Sequence, residues 1–242
     1  MATDFMKQEL LNLYYCYRES YKELLSKIKP EISTVEYGKG GEVLHRGYYC
    51  PSPVIDIVIG GANRGALLKR PRKGYIYDYS FFKDASGRII MVDKYVSFSE
   101  ENSKKVLYNR EFLIYHDDEV IAPIYEFSRI DGIKIASISS CKYDKVGKIE
   151  AYRIMHARTH QTENGDLFTD EKNCEIYAET YSYDNYGMLE KSTLANQFLS
   201  FITEDSFRFY YDSDGFLTSY ETENTVYGAK VHDVPKSQRR RV

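Results

Sequence analysis

The sequence predicts a mainly β (α+β) protein: a large curved antiparallel meander of about ten strands with an N-terminal amphipathic helix packed on one face. Three observations predict it. A short phrase recurs: aromatic, Asp, two free positions, Gly, one free position, aliphatic. Aromatic residues alternate beside the phrase, as in Phe207, Phe209 and Tyr211, or Tyr75, Tyr77, Tyr79 and Phe81. Ahead of the first phrase, apolar residues step by three and four.

The phrase reads as a hairpin. Full copies are Tyr143-Asp144-Lys145-Val146-Gly147-Lys148-Ile149, Tyr183 to Leu189, and Tyr211 to Leu217; Phe82 to Ile89 carries one extra residue. Asp suits the first position of a type I turn, because its carboxylate accepts a backbone N–H two residues on. Gly supplies the left-handed conformation that closes a three-residue loop with a bulge. The flanking aromatic and aliphatic residues then belong to paired strands, where alternation with period two is the signal. Tyr37 to Val43 keeps the frame without the Asp, and Tyr115 to Ile121 keeps it without the Gly. Unequal gaps exclude a solenoid or propeller of fixed period.

Residues 1–30 form the N-terminal helical segment, with the helix itself over 3–29. Leu10, Tyr14, Tyr17, Tyr21, Leu24 and Ile28 make one stripe, Thr3 or Asp4 caps the start and Pro30 stops it. The same stepping fits a heptad seam, so a homodimer through this helix is the alternative to packing on the sheet. Residues 31–234 form a single antiparallel domain, beginning with a hairpin over 31–50. Residues 51–60 read two ways. Ser52-Pro53 and Gly60-Gly61 frame a two-turn helix, while the β-branched run Val54 to Ile59 favours a strand. The helix is the reading adopted. A basic loop spans 61–74. Residues 192–203 admit a short helix, since Leu194, Phe198 and Phe201 have helical spacing. A disordered basic tail follows from 235 to 242.

Composition narrows the function classes. At 242 residues, with 43% hydrophobic residues, the chain can bury a real core and is not a disordered segment. Twenty-four tyrosines against twelve phenylalanines and no tryptophan mean a sheet whose aromatic bodies pack while hydroxyls reach polar partners. Cys16, Cys50, Cys141 and Cys174 form no C-x-x-C pair. With no apolar signal segment and no run of about 18 apolar residues, free thiols in the cytoplasm and no membrane span are the expectation.

The net charge of −3 conceals an asymmetry: between Gln161 and Thr225 fourteen acids meet three bases, Lys172, Lys191 and Arg208. An acidic sheet face repels nucleic acid and attracts a basic protein partner. The residues expected to form that face are Glu204, Asp205, Asp212, Asp214, Glu221 and Glu223, with Tyr210 and Tyr220 as aromatic anchors. Gly60 to Gly65 has neither P-loop nor Rossmann spacing, yet with Arg64, Lys69 and Arg70 it is a candidate anion site. An enzyme or toxin domain acting on a phosphate-bearing substrate would use these with His45. His156 and His160 lie four apart without a Glu or Cys companion, so no metal is expected. His116, Asp117 and Asp118 are explained by turn chemistry. No catalytic residue and no cofactor is assigned.

The phrases at 143–149, 181–189 and 211–217 resemble the tyrosine-aspartate (YD) repeats of Rhs-type proteins, Tyr181 to Leu189 most closely. The resemblance implies hairpins and covers about a quarter of the chain. Few copies, uneven gaps and a helical start depart from the long arrays that enclose a toxin. In style alone, the Tyr-rich, acidic, motif-poor sheet is similar to the cytoplasmic immunity proteins of bacterial polymorphic toxins. That likeness implies a protein-binding module that neutralises a basic, nuclease-type toxin. The alternatives are the phosphate-directed enzyme above and an oligomeric scaffold joined by the helical seam.

Overall fold

The computed structural model describes residues 2–40, 52, 54, 57, 66–69, 76–97, 105–128, 132–161, 167–198, 201–224 and 228–234. The expected β fold is present. Helices α1 (Ala2–Tyr17) and α2 (Tyr21–Ile28) and a 3-10 turn at Lys29–Glu31 precede the strands. The strands are β1 (Thr34–Lys39), β2 (Ala66–Leu67), β3 (Tyr79–Lys83), β4 (Ile89–Val96), β5 (Val106–Phe112), β6 (Ile114–Tyr115) and β7 (Glu119–Ser128). They continue with β8 (Gly132–Tyr143), β9 (Ile149–Gln161), β10 (Leu167–Tyr183), β11 (Leu189–Phe198), β12 (Phe201–Tyr211), β13 (Leu217–Asn224) and β14 (Gly228–Asp233). Among the described residues these fourteen strands make one open antiparallel sheet in the order β14-β13-β12-β11-β10-β9-β8-β7-β5-β4-β3-β1-β2, with β6 paired to β7. The count exceeds ten, partly because β2 and β6 are two-residue strands.

The hairpin phrases fold as their chemistry dictates. Gly87, Gly147, Gly187 and Gly215 have φ of 85°, 83°, 82° and 80°, the left-handed region that Gly reaches without a Cβ penalty. Asp144 Oδ1 accepts the N–H groups of Val146 (2.9 Å) and Lys148 (2.8 Å), and Asp184 Oδ1 does the same for Tyr186 and Met188. Antiparallel connectivity brings the four turns to one end of the sheet.

Two features of the helical segment differ from expectation. It is broken: Ser20 N–H donates to the Tyr17 carbonyl at 3.0 Å and Ser20 Oγ to the Cys16 carbonyl at 3.0 Å. The Tyr125 hydroxyl donates to Tyr17 O as well. Carbonyls left over at the end of α1 thus find partners, which lets the chain turn and follow the sheet. Second, α1 begins at Ala2, before the expected caps. The stripe itself is as read. Leu10, Tyr14, Leu24 and Ile28 are buried with Met91, Phe112, Ile121, Tyr125, Ile138, Met155 and Ile176 of the sheet. The seam residues are therefore occupied by the chain's own strands.

Each strand contributes alternate residues to the two faces. The helix face is covered by α1 across β8 and β9 and by α2, whose Tyr21 ring meets Phe112, Tyr125 and Phe127. The far face carries a second core, from Tyr79 and Phe81 through Tyr152, Ile154 and Tyr181 to Phe207, Phe209 and Leu217, on which Val54 and Ile57 pack. Val54 and Ile57 have helical backbone; the rest of 51–60 except Ser52 lies outside the described residues, as do the second limb of the 31–50 hairpin and the 235–242 tail. Residues 192–198 and 201–203 are strand rather than helix. β11 pairs with both β10 and β12, and this pairing overrides the helical spacing.

Candidate partner-binding surface

Among the described residues, nothing covers one end of the helix face, over β11 to β14, beyond the reach of the helices. Register and alternation place Lys191 and Thr193 of β11, Ile202, Glu204, Ser206, Arg208 and Tyr210 of β12, Glu221 and Glu223 of β13, and Val231 and Asp233 of β14 on this surface. Three apolar side chains stand in solvent there: Ile202 at 54%, Tyr210 at 40% and Val231 at 67% exposure. The Tyr210 hydroxyl donates to Glu221 Oε2 at 3.0 Å. Lys191, Arg208 and Glu221 sit directly opposite one another across three strands, and with Thr193, Ser206 and Glu223 they line a shallow cleft of about 350 Å³.

The acidic wall expected from the sequence is divided. Glu204, Tyr210, Glu221 and Glu223 share the bare helix face. Asp205 and Tyr220 point to the far face: Asp205 accepts a hydrogen bond from Asn224 Nδ2, and the Tyr220 ring stacks on His232 at 4.8 Å. Burial raises the Tyr220 pKa. Asp212 and Asp214 lie in the turn, where Asp212 Oδ1 accepts the N–H groups of Asp214 (3.1 Å) and Phe216 (2.9 Å). The physical reason is the strand period. Phe207 and Phe209 are buried in the far core, so Glu204 and Tyr210 must face the other way, while Asp205 must accompany the phenylalanines. The sequence reading missed Ile202, Arg208 and Val231 as members of the surface, although the same alternation marks them.

Glu179 departs furthest from a solvated acid. It is fully buried on the far face, accepting a hydrogen bond from Ser52 Oγ, which lies 2.8 and 2.7 Å from its two oxygens, and one from the Tyr181 hydroxyl. Burial raises its pKa, and the hydrogen bonds from Tyr181 and Ser52 oppose that rise. Burial likewise pushes the neighbouring Cys141 thiol up to about 11, so this cysteine is a protonated core residue. His156, also on the far face, has its pKa lowered by burial, with Glu175 opposing, and its ring meets Tyr177 edge-on.

Of the candidate anion site, Lys69 alone is described; Arg64, Arg70 and His45 lie outside the described residues. Among the described residues no group of three or more His, Cys, Asp or Glu side chains could hold a metal ion, and no helix is long and apolar enough to cross a membrane.

No family model matches the chain, and no curated protein does. Solved structures give weak likenesses. A protein of unknown function from Bacteroides fragilis NCTC 9343 aligns at 9% identity and TM-score 0.30, over 63% of this chain and 88% of that one. A Tc holotoxin pore of Photorhabdus luminescens aligns at 13% identity and TM-score 0.23, over 64% of this chain and 9% of that one. At these scores neither likeness bears on function.

Proposed function

We propose that the chain is a protein-binding module, a cytoplasmic immunity protein that neutralises a basic, nuclease-type toxin by covering it. The observation that carries this reading is the bare end of the helix face. A sheet end that displays Ile202, Tyr210 and Val231 to solvent, with Glu204, Glu221 and Glu223 beside them, has the makeup of an interface: apolar anchors ringed by charge. Its acids steer a basic partner into contact, and Tyr210 and Ile202 supply desolvated area once it arrives.

The test is calorimetric titration of a nuclease-type toxin domain, encoded beside this chain, into the wild-type protein and a Glu204→Lys/Glu223→Lys variant. Wild type is expected to bind and to rescue growth of cells expressing the toxin. The variant is expected to lose about tenfold or more in affinity, with a weaker dependence on salt. Equal affinities, or no binding by wild type, would sink the proposal.

A further inference from the structure

The last strand of the sheet carries backbone groups that no described residue pairs with. β14 is joined to β13 over its six residues with no register shift. Val234 N–H donates to the Thr218 carbonyl at 2.8 Å. In an antiparallel ladder such inward-pointing residues alternate, so His232 and Lys230 also turn their backbone groups toward β13. The N–H and C=O groups of Ala229, Val231 and Asp233 therefore point away from the sheet.

Sheet edges are ordinarily blunted by proline, a bulge, a very short strand, charged side chains, or a covering helix or loop. Among the described residues the opposite end of this sheet is the two-residue β2. β14 contains no proline and no bulge; its charges are the exposed Lys230, on the far face with His232, and Asp233 on the helix face, so the helix-face side of this edge is blunted by no base. On the helix face, β13 and β14 present Glu221, Glu223 and Asp233 around the exposed Val231 and no base.

We infer that the outer edge of β14 accepts an extended strand of the basic partner, which joins the sheet as a fifteenth strand; this rests on the function proposed above. Main-chain bonds to Ala229, Val231 and Asp233 hold the strand, and the side chains on the helix face select it. An apolar residue opposite Val231, with Lys or Arg two positions away on either side, meets the valine and the three carboxylates together. A strand with acids at those positions is repelled.

A dye-labelled, end-capped peptide alternating Lys-Thr-Val-Thr-Lys is the probe, read by fluorescence anisotropy against the whole chain. Saturable binding is expected, with an acidic counterpart (Glu for Lys) at least about tenfold weaker. Val231→Pro removes one outward N–H and leaves the inner ladder intact, so it is expected to weaken the basic peptide by about tenfold while Val231→Thr stays within about threefold. Amide exchange of the wild-type protein gives a second reading that needs no variant: peptide should slow exchange at Ala229, Val231 and Asp233. Unaltered exchange there, equal binding of both peptides, or a Val231→Pro variant that folds and binds as wild type would overturn the inference. A dimer in light scattering that Val231→Pro dissolves would do so too, by making a second copy the occupant. Glu204 lies on β12, two strands in from the edge, so it belongs to the face alone. A toxin bound equally by wild type and Val231→Pro, but more weakly by Glu204→Lys, removes the strand addition and keeps the face.

Discussion

Replacing Arg110 by Met should be among the costliest single changes in this molecule. Arg110 of β5 lies directly opposite Asp93 of β4 on the helix face, beneath α2. Its Nε and Nη2 donate to Asp93 Oδ1 and Oδ2 at 2.6 and 2.7 Å, and Nη1 donates to the Tyr21 hydroxyl at 2.9 Å. The Tyr95 hydroxyl adds a bond to Asp93 Oδ2 at 3.2 Å. Side-chain exposure is 14% for Arg110 and 1% for Asp93, so water compensates the guanidinium little and the carboxylate hardly at all. Burial disfavours the charged guanidinium, yet the hydrogen bonds and charge of Asp93 more than offset this, and the Arg110 pKa is raised. Methionine fills the space and strands the carboxylate. Breaking a buried pair on one side costs about 3–5 kcal/mol, which for a chain of this size lowers Tm by roughly 6–20 °C at about 2–4 °C per kcal/mol. Tyr21→Phe removes one bond and spares the pair, so it should cost about 1 kcal/mol. The decisive variant is Asp93→Leu/Arg110→Met: apolar replacement of both partners is often neutral, so stability should return to within about 1 kcal/mol of wild type. Urea unfolding followed by far-ultraviolet dichroism measures all three. An Arg110→Met cost below about 1 kcal/mol, or a double variant as unstable as the single one, would show that Asp93 is not stranded by the loss of its partner.

Three further outcomes are expected. Gly147→Ala and Gly187→Ala should each cost about 1–2 kcal/mol through the left-handed backbone, and Gly147→Asn less, read as Tm shifts; open space surrounds a Cβ at 147, and at 187 it meets only the flexible end of Lys148. Tyr183→Phe deletes the hydroxyl that donates to the Ile149 carbonyl at 2.8 Å and should cost about 0.5–1.5 kcal/mol in urea unfolding, with no change at the bare face. Glu179 has a folded-state pKa above its unfolded value, so its contribution is complete below the ordinary glutamate pKa of 4.5 and is lost as pH rises through the raised value. Tm measured against pH should consequently fall for wild type relative to Glu179→Gln above that point, and parallel curves would contradict the assignment.

Legibility in the sequence followed the range of the interaction concerned. The turns at Asp144-Gly147, Asp184-Gly187 and Asp212-Gly215 could be read because carboxylate, amide and glycine act within four residues. The stripe from Leu10 to Ile28 could be read for the same reason. The break between α1 and α2 could not, since one of its supports is the hydroxyl of Tyr125, far along the chain. Nor could the burial of Glu179, which depends on Ser52 crossing the far face, 127 residues away. The division of the acids is a different case. Its cause, the alternation around Phe207 and Phe209, is local, and a charge total over a third of the chain averages it away.

The aromatic residue of the phrase needs its own explanation, because a type I turn with a bulge requires the Asp and the Gly but no tyrosine. The joints between hairpins provide one. Tyr115, Tyr183 and Tyr211 donate through their hydroxyls to the carbonyls of Ile89, Ile149 and Leu189, each the closing aliphatic residue of an earlier hairpin. The residue after the glycine of that earlier hairpin reaches across in return: Arg88 lies 4.9 Å over the Tyr115 ring and Lys148 4.9 Å over Tyr183. Met188 completes the series by approaching the Cβ position of Gly215. The hairpins of Tyr115, Tyr183 and Tyr211 are thus seated on earlier ones at the turn end, while β9, β10 and β11 run 13, 17 and 10 residues toward the opposite end. The uneven spacing of the phrase therefore measures unequal strand lengths at that other end and does not loosen the repeat. It follows that lengthening a strand pair there should leave the joints intact, whereas a change at one tyrosine acts on two hairpins together.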